Sequence, residues 1–367
     1  MADEDPLTGI RSRIDTIDQQ LLQLISERAT CAQEVAEIKL AAAQRGDATA
    51  VAFYRPEREA QVLRRIAHLN EGPIPDEKVM YLFRQVMSAC LSLEQPMKVG
   101  YLGPEGTFTH QAAIKHFGYA AVGIPLVTVD EIFREVSAEA CQYGVVPVEN
   151  STEGSVSHTL DTFVNASLKI CGECELQVHH NFMVSSEGPI ERIYAHEQTF
   201  GQCRKWLDSH YPNAERVVAS SNAQGARLAK EDASAGAIAA EVAAELYGLR
   251  ITAKKIEDSP ENTTRFLVIG RESVGASGDD KTSIMVSTRN RPGALYELLE
   301  PFHRHGISLT ALESRPSKTA KWSYVFFIDF EGHVSDPAVA AVLEEIQKGP
   351  LEVKLLGSYP KALSVSL

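Results

Sequence analysis

The sequence predicts a multidomain protein with an all-α segment first, an α/β region second and an α+β ferredoxin-like unit last. Its 367 residues exceed what one core usually serves, since domains hold roughly 100 to 200 residues. Apolar residues recur every three or four positions in the first part, whereas short β-branched runs alternate with helical stretches from Met97 onward. A stretch rich in Gly and Ser at 272–280 then precedes the final unit. We therefore expect domains at 1–95, 97–271 and 281–367.

The composition excludes several classes of protein. Apolar residues make up 44% and charged residues 23%, which is typical of a soluble globular chain and excludes a disordered or fibrous one. Lys and Arg number 36 against 49 Asp and Glu, and the resulting net charge of −13 repels nucleic acid and anionic lipid. We expect no nucleic-acid or membrane partner. A chain of this charge that handles an anion is expected to need a local cationic pocket.

Neither the start of the chain nor its cysteines favour export. The opening MADEDPLTGI is acidic and lacks the apolar region of a signal peptide, and no run approaches 18 apolar residues. The six cysteines are scattered, which is typical of reduced thiols in a cytoplasmic protein. Cys171 and Cys174 form a C-x-x-C, which can be a zinc half-site or a redox pair. No second pair follows at metal spacing, so we interpret both as packing residues.

The first segment predicts three helices. One long helix over 8–40 contains no Pro, and stretches at 55–69 and 76–94 follow. At about 1.5 Å per residue the first helix is on the order of 50 Å long, which exceeds the width of a small domain. Three helices of this kind cannot bury their apolar faces alone, so we expect a homodimer. The first helix has its apolar side chains at Ile10, Ile14, Ile17, Leu21, Leu24, Cys31, Val35 and Ile38.

Basic residues lie on or beside that apolar face. Arg28 interrupts it and needs an anionic partner, because an unpaired buried guanidinium is costly. Lys39 falls on nearly the same face three turns later. Arg11 points about 100° away on a straight helix, which suits a site in the partner subunit. Spacing alone leaves a second interpretation open, in which these are solvated or coiled-coil charges.

The segment resembles the all-helical class of chorismate mutase. The matching stretches are LTGIR at 7–11, LLQLISER at 21–28, VAEIK at 35–39, RE at 58–59 and LFRQVMSACLSLE at 82–94. The resemblance implies that Arg11 and Arg28 bind the two carboxylates of chorismate. It implies that Lys39 and Glu94 flank the ether oxygen of chorismate. By the same resemblance Arg58 and Glu59 belong to the catalytic set.

Three positions depart from the pattern of that family. Glu94 stands where an amide is common, and a carboxylate donates to an ether oxygen only when it is protonated. We therefore expect either a Glu94 that holds its proton unusually tightly or a mutase that favours lower pH. Cys90 stands where Ser is common and is a weaker donor. Arg55 falls where an Asp can contact a substrate hydroxyl, and both Cys90 and Arg55 are candidate substrate-binding residues.

In the α/β region, two loops rich in Gly and hydroxyl groups each follow a strand and precede a helix. They span 103–108 and 149–155, and such loops present backbone N–H groups to anions or simply form turns. Neither matches a nucleotide-binding pattern. His196 ends a third strand and is either a helix cap or a catalyst. Arg265 lies beside two hydroxyl-bearing residues and needs an acidic partner.

Together these segments resemble prephenate dehydratase. The matching stretches are GYLGPEGTFT at 100–109, VVPVENSTEGSV at 145–156, HEQTFGQC at 196–203 and TRF at 264–266. The resemblance implies two α/β lobes with a cleft between them, as in periplasmic binding proteins, and chain crossings near 178 and 260. It also implies loss of carbon dioxide and hydroxide from prephenate to give phenylpyruvate.

The same resemblance suggests residue roles in the dehydratase. Thr264 is the candidate that donates or relays a proton to the leaving hydroxyl, and Arg265 positions a carboxylate or the loop. A Thr hydroxyl is a poor acid, so Glu149 or a water is an alternative proton source. The remaining substrate-binding candidates are Asn150, Ser151, His196 and Thr263.

The last unit reads strand, helix, strand, strand, helix, strand, the ferredoxin-like order. RPGALY at 291–296 and ESRP at 313–316 are, taken alone, a Pro-opened helix and an edge strand. In this order of elements they resemble the ACT domain of phenylalanine-inhibited dehydratases. The resemblance implies L-phenylalanine bound between two such domains. The candidate effector-binding residues are Gly293, Ala294, Leu295, Glu313, Ser314, Arg315 and Pro316.

The three resemblances follow one another in the order of the bifunctional mutase–dehydratase family. They imply an enzyme that binds chorismate, prephenate and L-phenylalanine and needs no metal, nucleotide or organic cofactor. Two alternatives stay open at this point. One is a ligand-binding sensor that keeps the two-lobed shape without catalysis, and the other is a dehydratase that prefers arogenate.

Overall fold

The computed structural model describes residues 6–45, 54–152, 154–289, 291–316, 323–348 and 352–363. Their helices and strands form a helical segment, two mixed sheets flanked by helices, and an antiparallel sheet with two helices. The predicted multidomain fold class is confirmed. Across the described ranges no helix is long and apolar enough to cross a bilayer.

The helical segment contains α1 (Pro6–Gln44), α2 (Pro56–Leu69) and α3 (Asp76–Glu94). Leu63 of α2 and Met80 of α3 are buried together, and α1 lies along α3. α1 buries little within this chain, because its large apolar side chains are exposed. Those side chains include Leu7, Ile10, Ile14, Ile17, Leu21, Leu22, Leu24, Ile25, Val35, Ile38 and Leu40. The apolar face predicted for the first helix therefore stays largely exposed among the described residues of this chain, although α1 contacts α3.

The first sheet combines strands from both ends of the α/β region. Its strands are β1 (Lys98–Leu102), β2 (Val122–Leu126), β3 (Tyr143–Asn150), β4 (Gly154–Ser155), β5 (Lys169–Gln177) and β11 (Thr263–Gly270), and its helices are α4 (Phe108–Phe117), α5 (Val129–Ser137) and α6 (Ser157–Asn165). The order is β2-β1-β3-β11-β5, with β4 paired to β3. β1 pairs in parallel with β2 and β3, whereas β11 runs antiparallel to both of its neighbours, so the sheet is mixed.

The second sheet lies between the two crossings. Its strands are β6 (Asn181–Val184), β7 (Arg192–Ala195), β8 (Glu215–Val218), β9 (Ala235–Ala239) and β10 (Arg250–Ala253), and its helices are α7 (Glu197–Gln202), α8 (Arg204–His210), α9 (Asn222–Glu231) and α10 (Glu241–Tyr247). The chain leaves the first sheet at 178–180 and returns at 254–262, as predicted. α7 and α8 are two short helices that meet at Cys203.

The third unit has the predicted ferredoxin-like order. It comprises β12 (Asp280–Arg289), α11 (Ala294–Arg304), β13 (Leu309–Pro316), β14 (Ser323–Glu331), α12 (Pro337–Lys348) and β15 (Glu352–Pro360), in the sheet order β13-β14-β12-β15. β15 packs closely on β5, because a Cβ atom at Gly357 would overlap the carbonyl oxygen of Ile170. This contact ties the third unit to the first sheet.

The packing interpretation of the C-x-x-C is supported. Cys171 and Cys174 are both buried on β5 in the apolar cluster that contains Val99 and Phe266. Burial raises the pKa of Cys171 to about 12 and that of Cys174 to about 11. Thiols that hold their protons this tightly are poor nucleophiles and poor metal ligands.

Candidate active sites

Two of the predicted mutase residues come together at the end of the helical segment. Lys39 Nζ on α1 lies 3.6 Å from Glu94 Oε2 at the end of α3, and both side chains are largely buried. Oε2 of Glu94 has no hydrogen-bond partner among the described residues. Cys90 is buried one turn earlier on α3. The pair places a cation and a carboxyl side by side, so that a substrate oxygen beside them can contact both.

The predicted arginines of this site are exposed. Arg11 and Arg28 project from α1 into solvent, and Arg58 does so from the first turn of α2. Arg55 is the N-cap residue of α2, and its Nε donates to Glu57 Oε1 at 2.7 Å. Arg11, Arg28 and Arg58 therefore do not join Lys39 in a closed pocket built from this chain.

Glu59 does not lie beside Lys39 and Glu94, two other predicted mutase residues. Its Oε1 accepts from Arg84 Nε at 3.0 Å, and Arg84 also donates to the backbone oxygen of Lys115 on α4. Burial raises the pKa of Glu59 and the Arg84 guanidinium opposes that rise. Glu59 lines a narrow cavity together with Tyr54 and His116, at the boundary with the first sheet. Its contacts in this structure are thus structural, between the helical segment and the α/β region.

A cavity of about 430 Å³ lies between the two mixed sheets. Thr264 at the start of β11 and Asn150 at the end of β3 line its floor, and His196 and Ser221 line the wall from the second sheet. The volume lies in the range of small-molecule sites, about 300–1,000 Å³. The predicted cleft is therefore present, with Thr264 inside it.

A hydrogen-bond network fixes the orientation of Thr264. Asn150 Oδ1 accepts from the backbone N–H of Thr152 at 3.0 Å, so its Nδ2 must face the other way. Nδ2 donates to Thr264 Oγ1 and to Asn262 Oδ1, both at 2.8 Å. Since Oγ1 of Thr264 accepts from Asn150, its own proton is free to point into the cleft.

Ser151 and Thr263 hold the strand crossing together outside the cleft lining. The backbone N–H of Thr263 donates to Ser151 Oγ at 3.0 Å, and the backbone N–H of Ser151 donates to the carbonyl of Thr263. Ser151 Oγ also donates to the carbonyl of Glu261. Both predicted substrate-binding residues therefore position the start of β11, beside Thr264.

Two predicted dehydratase residues face away from the cleft. Side chains alternate across a strand, so Glu149 and Arg265 lie on the sheet face opposite Asn150 and Thr264. Arg265 donates to Glu173 Oε2 at 2.8 Å and to Asp329 Oδ2 of β14 at 2.6 Å. Glu149 lies 3.9 Å from Arg265 and does not line the cleft. Arg265 therefore has the acidic partners expected from the sequence, and of its two predicted roles the positioning of the loop fits this geometry. Neither Arg265 nor Glu149 lines the cleft, so contact of Arg265 with a substrate carboxylate and proton supply by Glu149 do not fit it.

His196 is a helix cap that also lines the cleft. Its ring Nδ1 accepts from the backbone N–H of Gln198 at the start of α7, and its own backbone N–H donates to Asn222 Oδ1. The cap interpretation, left open from the sequence, is thus supported. The ring is placed to contact a ligand in the cavity.

Sequence reasoning missed several residues of the cleft. Asn262 and His180 are buried at its floor, where the chain crosses between the sheets. His180 Nε2 lies 2.7 Å from Gln202 Oε1, and burial lowers the His180 pKa, which keeps the ring neutral. Ser221 caps α9, and the signal for it was present as Ser-Ser-Asn after a β-branched run. His180 and Asn262 carry no local signal, because they are adjacent only through the two crossings.

The cleft offers groups that can bind an anion without a Lys or Arg in its described lining. Among the described residues around it there is neither Lys nor Arg, contrary to the expected cationic pocket. Instead, α4 and α9 begin at the cleft, capped by Thr107 and Ser221. The free N–H groups of a helix N-terminus carry partial positive charge and bind carboxylates. Two such ends facing one cavity suit a dianion.

The predicted effector residues lie on two neighbouring features of the third unit. Gly293 is the N-cap of α11 with φ of 84°, a conformation that favours glycine, and Leu295 is exposed beside it. The stretch 313–316 ends β13, which is an edge strand. Arg315 donates to Asp161 Oδ1 of α6 at 2.8 Å, so part of the predicted effector set contacts the α/β region. Ala294 is buried, and Ser314 pairs with Phe326 on β14.

Comparison with known proteins agrees with this organisation. The model for chorismate mutase type II matches residues 10–95, that for prephenate dehydratase residues 99–274 and that for the ACT domain residues 282–347. The bifunctional chorismate mutase/prephenate dehydratase of Pseudomonas aeruginosa is 57% identical over 99% of this chain and 100% of that protein. The protein of the same name from Aquifex aeolicus is 43% identical over 98% and 99% of the two chains.

A solved structure extends the similarity to three dimensions. The prephenate dehydratase from Arthrobacter aurescens, in complex with L-Phe, has a TM-score of 0.67 and 35% sequence identity. The match covers 72% of this chain and 90% of that chain. With a helical segment, a two-lobed cleft and a ferredoxin-like unit in one order along its length, the chain belongs to the family of bifunctional chorismate mutase/prephenate dehydratases.

Proposed function

We propose that the chain rearranges chorismate to prephenate beside Lys39 and Glu94 and converts prephenate to phenylpyruvate in the cleft of Thr264. We further propose that L-phenylalanine inhibits it through the third unit. The observation that carries the proposal is the Asn150–Thr264 hydrogen bond, which aims a hydroxyl proton into a cleft with two helix N-termini. The proposed domains are 1–95, 97–271 and 281–367.

The mutase reaction is an intramolecular rearrangement, so the enzyme must hold its substrate folded and stabilise charge on the breaking C–O bond. The Lys39 ammonium offers that charge, and Glu94 in its protonated form donates a hydrogen bond to the same ether oxygen. Arginine forks suit the two carboxylates of the substrate. Arg28 of one chain and Arg11 of a second copy are the proposed ligands of these groups.

A second copy of this chain is the proposed cover of α1. The apolar face of α1 is exposed over its length, with Leu24 at 61% and Ile38 at 67%. Burial of apolar surface contributes roughly 25 cal/mol per Å². A helix of 39 residues cannot cover its own apolar face, whereas the equivalent helix of a second chain is self-complementary to it. The homodimer also brings Arg11 of one chain toward the Lys39 site of the other.

The dehydratase step breaks two bonds. The ring carboxylate leaves as carbon dioxide, its electron pair enters the ring, and the hydroxyl leaves as water after taking a proton. Thr264 is placed to deliver that proton, supplied through water in the cleft, since Asn150 holds Oγ1 as an acceptor. The lack of Lys and Arg among the described lining residues favours decarboxylation, because no ion pair retains charge on the departing carboxylate.

The effector proposal joins α11 and β13. The N-terminus of α11 behind Gly293 suits the carboxylate of an amino acid, and the half-buried Glu313 suits its ammonium. The relative from Arthrobacter aurescens was solved in complex with L-Phe. Because β13 is an edge strand, its free side can face the same unit of a second chain, which supports a site between two copies.

One experiment tests these proposals together. Chorismate is supplied to the purified chain, prephenate and phenylpyruvate are followed over time, and the assay is repeated with phenylalanine. Prephenate should rise and then fall as phenylpyruvate accumulates, and phenylalanine should slow only the second phase. Thr264→Ala should accumulate prephenate, whereas Lys39→Ala should make phenylpyruvate only when prephenate is supplied.

The two open alternatives have distinct outcomes. A chain that binds prephenate without forming phenylpyruvate would be the ligand sensor and would refute the dehydratase proposal. Supplying arogenate and prephenate side by side compares kcat/KM for the two substrates. A higher kcat/KM with arogenate would contradict the proposed substrate while leaving the chemistry at Thr264 intact.

A further inference from the structure

The two neighbours Thr264 and Arg265 face different partners. Thr264 lines the cleft, and Arg265 reaches through the opposite face of the sheet to the third unit. The backbone of β11 joins them directly, and the ladder to β3 shifts register between Arg265 and Phe266. Any movement of the Arg265 side chain therefore acts on the start of the strand that carries Thr264.

We propose that Arg265 is a positioning residue through which the third unit controls Thr264, and that its ion pair with Asp329 is the coupling contact. This inference rests on the proposed function and adds to it the route by which phenylalanine reaches the dehydratase cleft. Arg265 does not touch substrate, since it lies on the other face of the sheet from the cleft.

Arg265 is held from both sides. Its Nε donates to Glu173 Oε2 of β5 at 2.8 Å, and its terminal nitrogens donate to Asp329 Oδ2 at 2.6 Å and to the Tyr359 hydroxyl at 3.1 Å. Glu173 is buried and also accepts from Lys281 of β12. Of these three hydrogen-bond partners, Asp329 and Tyr359 belong to the third unit and Glu173 to the first sheet. The guanidinium thus bridges the two units at the level of the catalytic strand.

Asp329 is tied to the proposed effector segment. It pairs with Ala311 of β13, two residues before Glu313, and its Oδ1 accepts from Ser283 Oγ at 2.6 Å. Glu313, Asp329 and Arg265 line the same cavity of about 40 Å³ between β13, β14 and the first sheet. An ammonium group drawn to Glu313 changes both the position of β13 and the charge beside Arg265.

Arg265 and Asp329 are both largely buried, so a change of charge near one of them strongly affects the other. The Arg265 side chain is 11% exposed and that of Asp329 is 16% exposed. Charges screened so little from one another respond strongly to a change in a neighbour. When effector binding moves Asp329 away, Arg265 keeps Glu173 and Glu149 alone as its acidic partners. Its side chain then shifts, and β11 shifts with it.

Asp329→Asn tests the coupling. The amide keeps the shape and the bond from Ser283 but removes the charge that holds Arg265. We expect phenylalanine still to bind, as measured by titration calorimetry. We expect its inhibition constant for the dehydratase to rise about tenfold or more, within the 5–150-fold range of allosteric coupling. Glu345→Gln is the matched control, since it breaks an ion pair with Arg304 inside the same unit and away from the α/β region.

Arg265→Lys is the second variant, because it keeps the positive charge but removes the guanidinium that donates to three partners at once. We expect it to lower kcat for dehydration while KM changes little, and to be inhibited more weakly than the unaltered chain. With kcat expressed per folded molecule, that split between kcat and KM marks a role in placing Thr264, whereas a purely structural role would lower the amount of folded protein and leave both constants unchanged.

Several results would overturn the inference. Normal inhibition of Asp329→Asn would do so, as would equal loss of inhibition in Glu345→Gln, or loss of phenylalanine binding in Asp329→Asn. An unaltered chain that makes phenylpyruvate but is not inhibited would refute the effector part of the proposed function itself. An inhibited unaltered chain with a normally inhibited Asp329→Asn would refute the coupling alone.

Discussion

Asn150 and Thr264 lie opposite each other on β3 and β11, with the amide nitrogen 2.8 Å from the hydroxyl oxygen. The backbone N–H of Thr152 fixes the Asn150 amide, so the threonine can only accept from it. Because Oγ1 of Thr264 accepts from Asn150, its hydroxyl can donate a hydrogen bond into the cleft.

Removal of that hydroxyl should abolish most dehydratase activity. We expect Thr264→Ala to lower kcat about 10²- to 10⁴-fold, the usual contribution of a positioned proton donor, with mutase activity unchanged. Thr264→Ser keeps the hydroxyl and should retain much of the rate. Phenylpyruvate formation from prephenate measures the effect, and Thr252→Ala, at an exposed site on β10, is the control. Full activity in Thr264→Ala would remove the residue from the mechanism.

Helices and strands could be predicted from the sequence more reliably than the side of a strand on which a given side chain lies. The long helix and the βαββαβ order follow from local periodicity and turn signals, which neighbouring residues determine. The two crossings were implied only by the resemblance to prephenate dehydratase. The resemblance to prephenate dehydratase left two roles open for Arg265, the positioning of a carboxylate or of the loop. The direction of the Arg265 side chain depends on strand alternation and on a third unit that packs there, and neither is a local property.

Only part of the cleft could be predicted from the sequence. Thr264, Asn150 and His196 were found through motifs, and the structure places all three around one cavity. His180 and Asn262 were missed, because the two crossings bring them together from positions 82 residues apart in the sequence. The expected cationic pocket does not lie at this cleft, since its described lining has neither Lys nor Arg and offers two helix N-termini to an anion instead.

The Lys39–Glu94 pair predicts which groups the mutase needs beside the ether oxygen. An amide donates a hydrogen bond that a carboxylate cannot, so we expect Glu94→Gln to retain or raise mutase kcat/KM. Lys39→Ala should lower kcat/KM about 10²- to 10³-fold, as loss of one charge-stabilising donor does. A large loss of mutase activity in Glu94→Gln would contradict the donor role given to position 94.

The exposed face of α1 predicts a mutase that depends on association. Changing Leu21 and Leu24 together to Asp should disrupt packing against a second chain, because both are more than half exposed in one chain. We expect lower mass by light scattering and strongly reduced mutase activity, with dehydratase activity largely retained. Gln20→Glu, on the same helix, is the control. A dimer with full mutase activity in the double variant would show that another surface covers α1.

His116 predicts loss of stability in mild acid. Burial first, and the Arg84 guanidinium second, lower the pKa of His116 from its usual 6.5 to about 3, and Tyr54 OH lies 3.2 Å from the unprotonated Nε2. The unfolded chain binds this proton below pH 6.5 and the folded chain does not. Stability therefore falls as the pH drops from 6.5 toward 3, by about 1.4 kcal/mol per pH unit.

His116→Gln removes the titrating group while keeping an acceptor for Tyr54. The free energy of unfolding in urea, measured between pH 7 and 5, should fall less steeply in this variant, by about 2 kcal/mol at pH 5 relative to pH 7. His68→Gln, at an exposed site near the end of α2, should follow the unaltered chain. Equal acid sensitivity in His116→Gln and the unaltered chain would show that this histidine is protonated in the folded state. The boundary between the helical segment and the first sheet would then tolerate the charge beside Arg84.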